Sequence, residues 1–112
     1  MSVTIYHNPK CGKSRDTLKL IEAKGIKPKV VEYLKTPPSA SELKQILEWL
    51  GLCAKDILRR KEAAETGIDP NLPEDSLIAA MIAHPIVIER PIVVTGNRAR
   101  LGRPPEKVLD IL

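Results

Sequence analysis

The feature that most constrains this chain is a strand, a helix and a second strand packed into its first 35 or so residues. Val3-Thr4-Ile5-Tyr6 alternates and is β-rich, which predicts a strand. His7-Asn8-Pro9-Lys10-Cys11-Gly12 reads as a loop. Residues 13–24 then carry Leu18 and Ile21 on one side with Leu20 beside them, a helix pattern, and Gly25 stands where a C-terminal glycine belongs. Lys29 to Leu34, centred on Val30-Val31, predicts the second strand. Such a βαβ unit implies a parallel pair with a right-handed connection, and therefore an α/β fold.

The rest of the chain is punctuated by proline and glycine. Thr36-Pro37-Pro38 breaks it, and Ser39 with Glu42 forms an S-x-x-E capping box. Leu43, Ile46, Leu47 and Leu50 follow with helical spacing, and Gly51 ends the run. A shorter, charged helix is expected over Ile57–Glu65, closed by Gly67, and another over Pro73–Ala83, ended by His84-Pro85. Residues 91–95 and 98–101 read as strands joined by Gly96-Asn97, an antiparallel hairpin. Gly102-Arg103-Pro104-Pro105 opens a last helix with Val108, Leu109 and Leu112 on its apolar side. The expected architecture is a four-stranded mixed sheet with flanking helices, and a helical insertion at about 36–85 between the βαβ and ββα halves.

Composition narrows the function. A chain of 112 residues is expected to form a single domain, 1–112, since splitting sets in only beyond roughly 250–300 residues. Eighteen basic against fourteen acidic residues give a net charge of +4. Aromatic residues number only three (Tyr6, Tyr33, Trp49), too few for a base-stacking platform, so small anions suit the charge better than nucleic acid. No stretch approaches the roughly 20 apolar residues of a membrane span, and no leader-like apolar run precedes Lys10. The expected location is the cytoplasm. There the two cysteines, Cys11 and Cys53, are not expected to form a structural disulfide, and two thiols do not make a zinc site unaided.

Cys11 is the principal candidate for chemistry. It stands between a strand and a helix among Lys10, Lys13 and Arg15, and helix N-terminal amides and nearby cations both favour thiolate over thiol. The competing role, a small buried hydrophobe, fits poorly with a polar loop punctuated by Pro and Gly. Three residues on stands Ser14, so the motif is C-x-x-S and no local thiol can resolve a Cys11 disulfide. A redox cycle must import its other thiols. Cys53, just past Gly51-Leu52, reads as packing at a helix junction, and His84 as a helix stop. The strand-to-helix loop is also a ready oxyanion site. His7 is read either as a stabiliser of that loop and its thiolate or as a plain loop histidine. Arginine offers planar, paired donors to oxyanions. Arg90 and Arg103 stand at strand ends, where sites gather, while Arg98 and Arg100 alternate outward along a hairpin strand.

The run Tyr6-His7-Asn8-Pro9-Lys10-Cys11-Gly12-Lys13-Ser14-Arg15 resembles the active-site signature of the glutaredoxin-coupled arsenate reductase family. Arg90-Pro91-Ile92-Val93-Val94 and Gly102-Arg103-Pro104-Pro105-Glu106 resemble its later signatures, in order and spacing. The likeness covers essentially the whole chain. It departs at Lys13 and Asp16, where family members often carry Thr and Asn. The resemblance implies a thioredoxin-like fold with a cis peptide before Pro91. It implies Cys11 as nucleophile, Arg59, Arg90 and Arg103 as anion ligands, and His7 and Ser14 in support; Arg60 is the neighbour with which Arg59 is most easily confused. The implied activity is reduction of arsenate to arsenite for arsenic detoxification, with glutathione as reducing co-substrate and glutaredoxin as protein partner. No bound cofactor or metal is implied, and the protein is expected to act as a monomer away from membranes and nucleic acid. The alternatives are another monothiol glutathione-dependent oxidoreductase, or an Spx-like redox regulator binding RNA polymerase. That regulator group typically carries C-x-x-C, which Ser14 disfavours.

Overall fold

The computed structural model describes residues 2–112. They divide into two units, Met1–Thr36 with Arg90–Leu112, and Pro37–Glu89. The first unit is therefore built from both ends of the chain, and the second corresponds to the stretch read as a helical insertion.

The first unit holds strands β1 (Val3–Tyr6), β2 (Lys29–Val31), β3 (Ile92–Thr95) and β4 (Arg98–Leu101) in the order β2-β1-β3-β4. β1 runs parallel to β2 and antiparallel to β3, and β3 and β4 form the expected hairpin. Gly96 takes a φ of 58° at the first turn position, which a glycine-first two-residue turn requires. Val3, Ile5 and Val93 turn inward and meet Ile21 of helix α1 (Gly12–Ala23) and Val108 and Ile111 of a 3₁₀ helix, Pro105–Ile111. This aliphatic cluster joins the sheet to both helices. Gly25 closes α1 with a φ of 77°, and Ile26 N–H reaches back to Ile21 O at 3.4 Å.

Two expectations change in this unit. β2 ends at Val31 rather than Leu34, because Lys35 and Thr36 N–H both donate to Glu32 O (2.9 and 3.0 Å) and turn the chain. The last helix is 3₁₀ rather than α. Pro104 and Pro105 supply no N–H, and Lys107 N–H closes back only three residues, to Pro104 O at 3.1 Å. The Arg90–Pro91 peptide is cis, as the resemblance implied, and so is Arg103–Pro104.

In the second unit, α2 (Ala40–Leu50) opens on the Ser39–Glu42 capping box, with Glu42 N–H on Ser39 Oγ at 3.1 Å and Ser39 N–H on Glu42 Oε1 at 3.0 Å. Leu43, Ile46 and Leu47 form its buried face, packed near Leu77, Ile78 and Met81 of α4 (Glu74–Ala83). The helix expected over Ile57–Glu65 is displaced. A 3₁₀ turn covers Ala54–Ile57, Leu58 is extended and bridges to Ile88, and α3 runs from Arg60 to Thr66. Arg59 N–H donates to Val87 O at 2.7 Å and Glu89 N–H to Ile57 O at 2.8 Å, so this backbone pairs sideways instead of coiling. Cys53 is exposed rather than packed, because the 3₁₀ turn buries Ala54 in its place.

Gly102 is the most closely packed of the glycines. Its N–H donates to Pro91 O at 3.0 Å, and a Cβ there would collide with Thr17 Oγ1 and stand 2.7 Å from Pro91 Cγ. Thr17 cannot simply swing away, since its hydroxyl donates to Lys13 O at 2.8 Å. Gly102→Ala is expected to lower stability by about 1–3 kcal/mol, read as a lower urea midpoint with an unchanged m value.

Candidate active site

The loop that follows β1 is shaped by its own polar groups. Lys10 N–H donates to Asn8 Oδ1 and Cys11 N–H to Asn8 O, both at 3.0 Å, so the Asn8 side chain turns the chain toward α1. Arg15 Nη1 donates to Pro9 O at 2.9 Å and ties the loop to the first turn of the helix. Cys11 is then the N-cap residue of α1, with extended backbone at φ −95°, ψ 123°. Its sulfur takes the place that Ser or Asp oxygens occupy in capped helices.

Burial pushes the half-buried Cys11 thiol up. Several donors outweigh it: the backbone N–H of Ser14, the Arg90 guanidinium through hydrogen bonding and charge, and the backbone N–H of Lys13. The result is a pKa below the ordinary cysteine value. The amides fall short of a full side-chain cap in this geometry, yet both favour the thiolate.

Ser14 is fully buried, and its hydroxyl lies 2.6 Å from His7 Nδ1 and accepts Asn8 N–H at 3.0 Å. Burial lowers the His7 pKa, with the Glu32 charge opposing and the Arg15 charge assisting. At neutral pH the imidazole is uncharged, and with its proton on Nε2 the Ser14 hydroxyl donates to Nδ1. Ser14 thus joins the end of β1 to the first turn of α1, whose amide faces Cys11. In that tautomer its hydroxyl proton is held by the imidazole.

Arg90 is the most unusual group in the site. Its guanidinium faces Cys11, while Nε and Nη1 are buried without a hydrogen-bond partner. Buried donors left unsatisfied cost about 1–3 kcal/mol each, more when charged, and such groups call for an explanation. A bound oxyanion would satisfy them. Arg103 joins this cluster by donating from Nη1 to Arg90 O at 3.3 Å. The structure therefore gathers Cys11, His7, Ser14, Arg90 and Arg103 in the first unit.

Arg59 belongs to the second unit. Its Nε lies 3.2 Å from Glu62 Oε2 and its Nη1 2.8 Å from Glu89 Oε1. Burial opposes its charge, but the Glu89 and Glu62 carboxylates outweigh it and raise its pKa. Arg60 is exposed on α3, which separates the two neighbours by environment. His84 is exposed, as is Arg98, and Arg100 Nε pairs with Asp110 Oδ2 at 3.1 Å. Among the described residues, no group of three or more His, Cys, Asp or Glu side chains is placed to share a metal ion, and no helix is long and apolar enough to cross a membrane. Sequence reasoning missed Thr17, buried behind the loop, whose only signal was a polar residue on the apolar face of α1.

Both the sequence and the fold have known relatives. The sequence model of the ArsC family matches residues 6–111. An arsenate reductase of Rhizobium meliloti (strain 1021) is 51% identical, covering 100% of this chain and 82% of the relative. The uncharacterized protein YfgD of Escherichia coli K12 is 47% identical, covering 98% of this chain and 96% of its own length. The solved structure of an arsenate reductase from Vibrio cholerae superposes with a TM-score of 0.90 at 52% identity, covering 100% of this chain and 98% of that one. The thioredoxin-like α/β fold, a mixed four-stranded sheet with flanking helices, is shared with such structures.

Two outcomes follow for the site. Replacing Arg90 with Met removes a cation that favours the thiolate, so the midpoint of Cys11 alkylation by iodoacetamide moves to higher pH. Ser14→Ala leaves His7 Nδ1 and Asn8 N–H without their partner, and is expected to cost about 1–3 kcal/mol in chemical denaturation.

Proposed function

The chain belongs to the ArsC family, and from that premise we propose that it reduces arsenate to arsenite, with Cys11 as nucleophile and glutathione and glutaredoxin as the thiol donors. The observation that carries this reading is Arg90, whose guanidinium faces the Cys11 sulfur and keeps two buried donors unpaired. A tetrahedral oxyanion seated over α1 would take up those donors while presenting its central atom to the thiolate. Relatives that carry the name arsenate reductase at 46–51% identity support the same substrate.

In the proposed reaction, arsenate is held by the amides at the start of α1 with Arg90 and Arg103. Arg59 enters as a third ligand on the family resemblance. The Cys11 thiolate attacks arsenic, an As–O bond breaks, and the oxygen leaves as water after protonation. Guanidinium donors stabilise charge on the remaining oxygens. A glutathione thiol then displaces a second oxygen as water. A glutaredoxin thiolate attacks the glutathione sulfur, so that the S–As bonding pair passes to arsenic and glutaredoxin leaves as a mixed disulfide with glutathione. Water finally displaces Cys11, returning the thiolate and releasing arsenite. Overall, arsenate and two thiols give arsenite, one disulfide and one water. Ser14 in place of a second cysteine is what makes the imported thiols necessary. The proposed reaction calls for no bound cofactor or metal, and its thiol requirement suits a reducing compartment such as the cytoplasm.

The test is arsenate-dependent NADPH oxidation with glutathione, glutathione reductase and glutaredoxin. Cys11→Ser is expected to abolish it, and retained activity overturns the mechanism. Arg90→Ala is expected to lower kcat/KM for arsenate by about 10²–10³-fold, the loss typical of one oxyanion donor. Activity of the unaltered protein should rise with pH through a midpoint below that of an ordinary cysteine, because the thiolate is the reactive form.

A further inference from the structure

Helix α1 buries two polar side chains completely, Ser14 and Thr17. Ser14 serves the cysteine loop through His7 and Asn8. Thr17 takes no part in the reaction proposed above, although burying a hydroxyl is a costly way to fill a core. It stands three residues further along the helix, on the side that meets Gly102.

Three elements converge at its side chain. A Cβ placed on Gly102 would collide with Thr17 Oγ1, and would stand 3.1 Å from Thr17 Cγ2 and 2.7 Å from Pro91 Cγ. Gly102 and Pro91 are also joined directly, Gly102 N–H donating to Pro91 O at 3.0 Å. Each is the chain neighbour of an arginine: Arg90 precedes Pro91, and Arg103 follows Gly102. The two arginines are linked in turn, Arg103 Nη1 donating to Arg90 O at 3.3 Å. All of these residues belong to the first unit. The backbone that carries both arginines is thereby tied together, and α1, whose first amides face Cys11, abuts it at Thr17.

The chemistry of Thr17 suits a spacer of fixed size. Its hydroxyl donates to Lys13 O at 2.8 Å, which fixes the rotamer and so decides which atoms face Gly102. Valine has the same branching, but it lacks the donor and puts a bulkier methyl where the oxygen stands, so the exchange is not neutral. Serine keeps the oxygen and its bond and gives up only Cγ2. In a close-packed interior even one such group is felt by its neighbours. We infer that Thr17 is a positioning residue for the thiol and its arginines: its side chain, fixed by the hydroxyl, sets the separation between the Cys11 end of α1 and the backbone carrying Arg90 and Arg103. The inference deepens the proposed function, resting on Cys11 and Arg90 working together, and adds a residue that acts only through them.

The test is the pH midpoint of Cys11 alkylation by iodoacetamide in the folded protein, followed on the Cys11 peptide by mass spectrometry. Thr17→Val is expected to raise the midpoint by about 0.5 unit, a fraction of the roughly 1–3 units that an adjacent opposite charge supplies. Thr17→Ser, keeping the hydroxyl, is expected to hold the midpoint of the unaltered protein even where its urea midpoint falls. Added to Arg90→Met, Thr17→Val should shift the midpoint no further, because the cation through which it acts is gone. Thr17→Ala, which removes the spacer without overfilling its place, carries the same expectation as Thr17→Val should that variant fail to fold. A midpoint unmoved by loss of the hydroxyl, raised equally in Thr17→Ser, or still raised in the absence of Arg90 overturns the inference. A purely structural side chain would lower the urea midpoint and leave the thiol alone. Arsenate consumption by the unaltered protein is measured separately with glutathione and glutaredoxin. If there is none, the arsenate reading fails, while the alkylation series still decides the role of Thr17.

Discussion

The site depends on one register. Tyr6 pairs with Ile92, Ile92 pairs with Leu101, and Tyr6 also pairs with Val31. The antiparallel pairings place the end of β1, the start of β3 and the end of β4 at the same end of the sheet. The residues just outside those three positions are His7, Pro91 and Gly102. The cysteine loop, Arg90 and Arg103 are therefore delivered together by backbone hydrogen bonds and need no long side-chain scaffold. A slip of one residue in β3 would turn the inward Val93 outward as well as misplace Arg90, so the aliphatic core and the site are enforced by the same pairing.

Electrostatically, Arg59 and Arg90 are treated in opposite ways. Arg59 is held between two carboxylates, and its charge is largely spent on the structure around it. Arg90 faces sulfur and keeps buried donors open. A single thiol among helix amides and an uncompensated guanidinium is the arrangement a small oxyanion needs. It also gives the modest +4 surplus of the chain a local meaning.

Much of this was legible in the residues. The βαβ start, the Ser39–Glu42 capping box, Gly25 and the Gly96-Asn97 turn all announce themselves through short-range patterns, and each is found in place. What escaped is long-range. Nothing local to Leu58-Arg59 tells that Ile88 and Val87 compete for their backbone, so a helix was expected where a bridge forms. The Arg59–Glu89 pair links residues too far apart for periodicity to reveal. The burial of Thr17 and the close approach of Gly102 to Pro91 exist only once α1 and β4 have met. Within the site, the position of Cys11 at a helix start could be read directly. Arg90 and Arg103 could be singled out by their places at strand ends, but not the pairing of Arg59 with two carboxylates, because sequence does not say which guanidinium finds a carboxylate.

The first unit is assembled from the two ends of the chain, with Pro37–Glu89 inserted between them. A ribosome therefore delivers the sulfur early and its guanidinium late. At roughly 5–20 residues per second, several seconds separate the emergence of Cys11 from that of Arg90. Until then β1 lacks its antiparallel partner β3, and the thiol lacks the cation that favours its thiolate. The cysteine therefore meets its activating cation only once β3 has emerged and paired with β1.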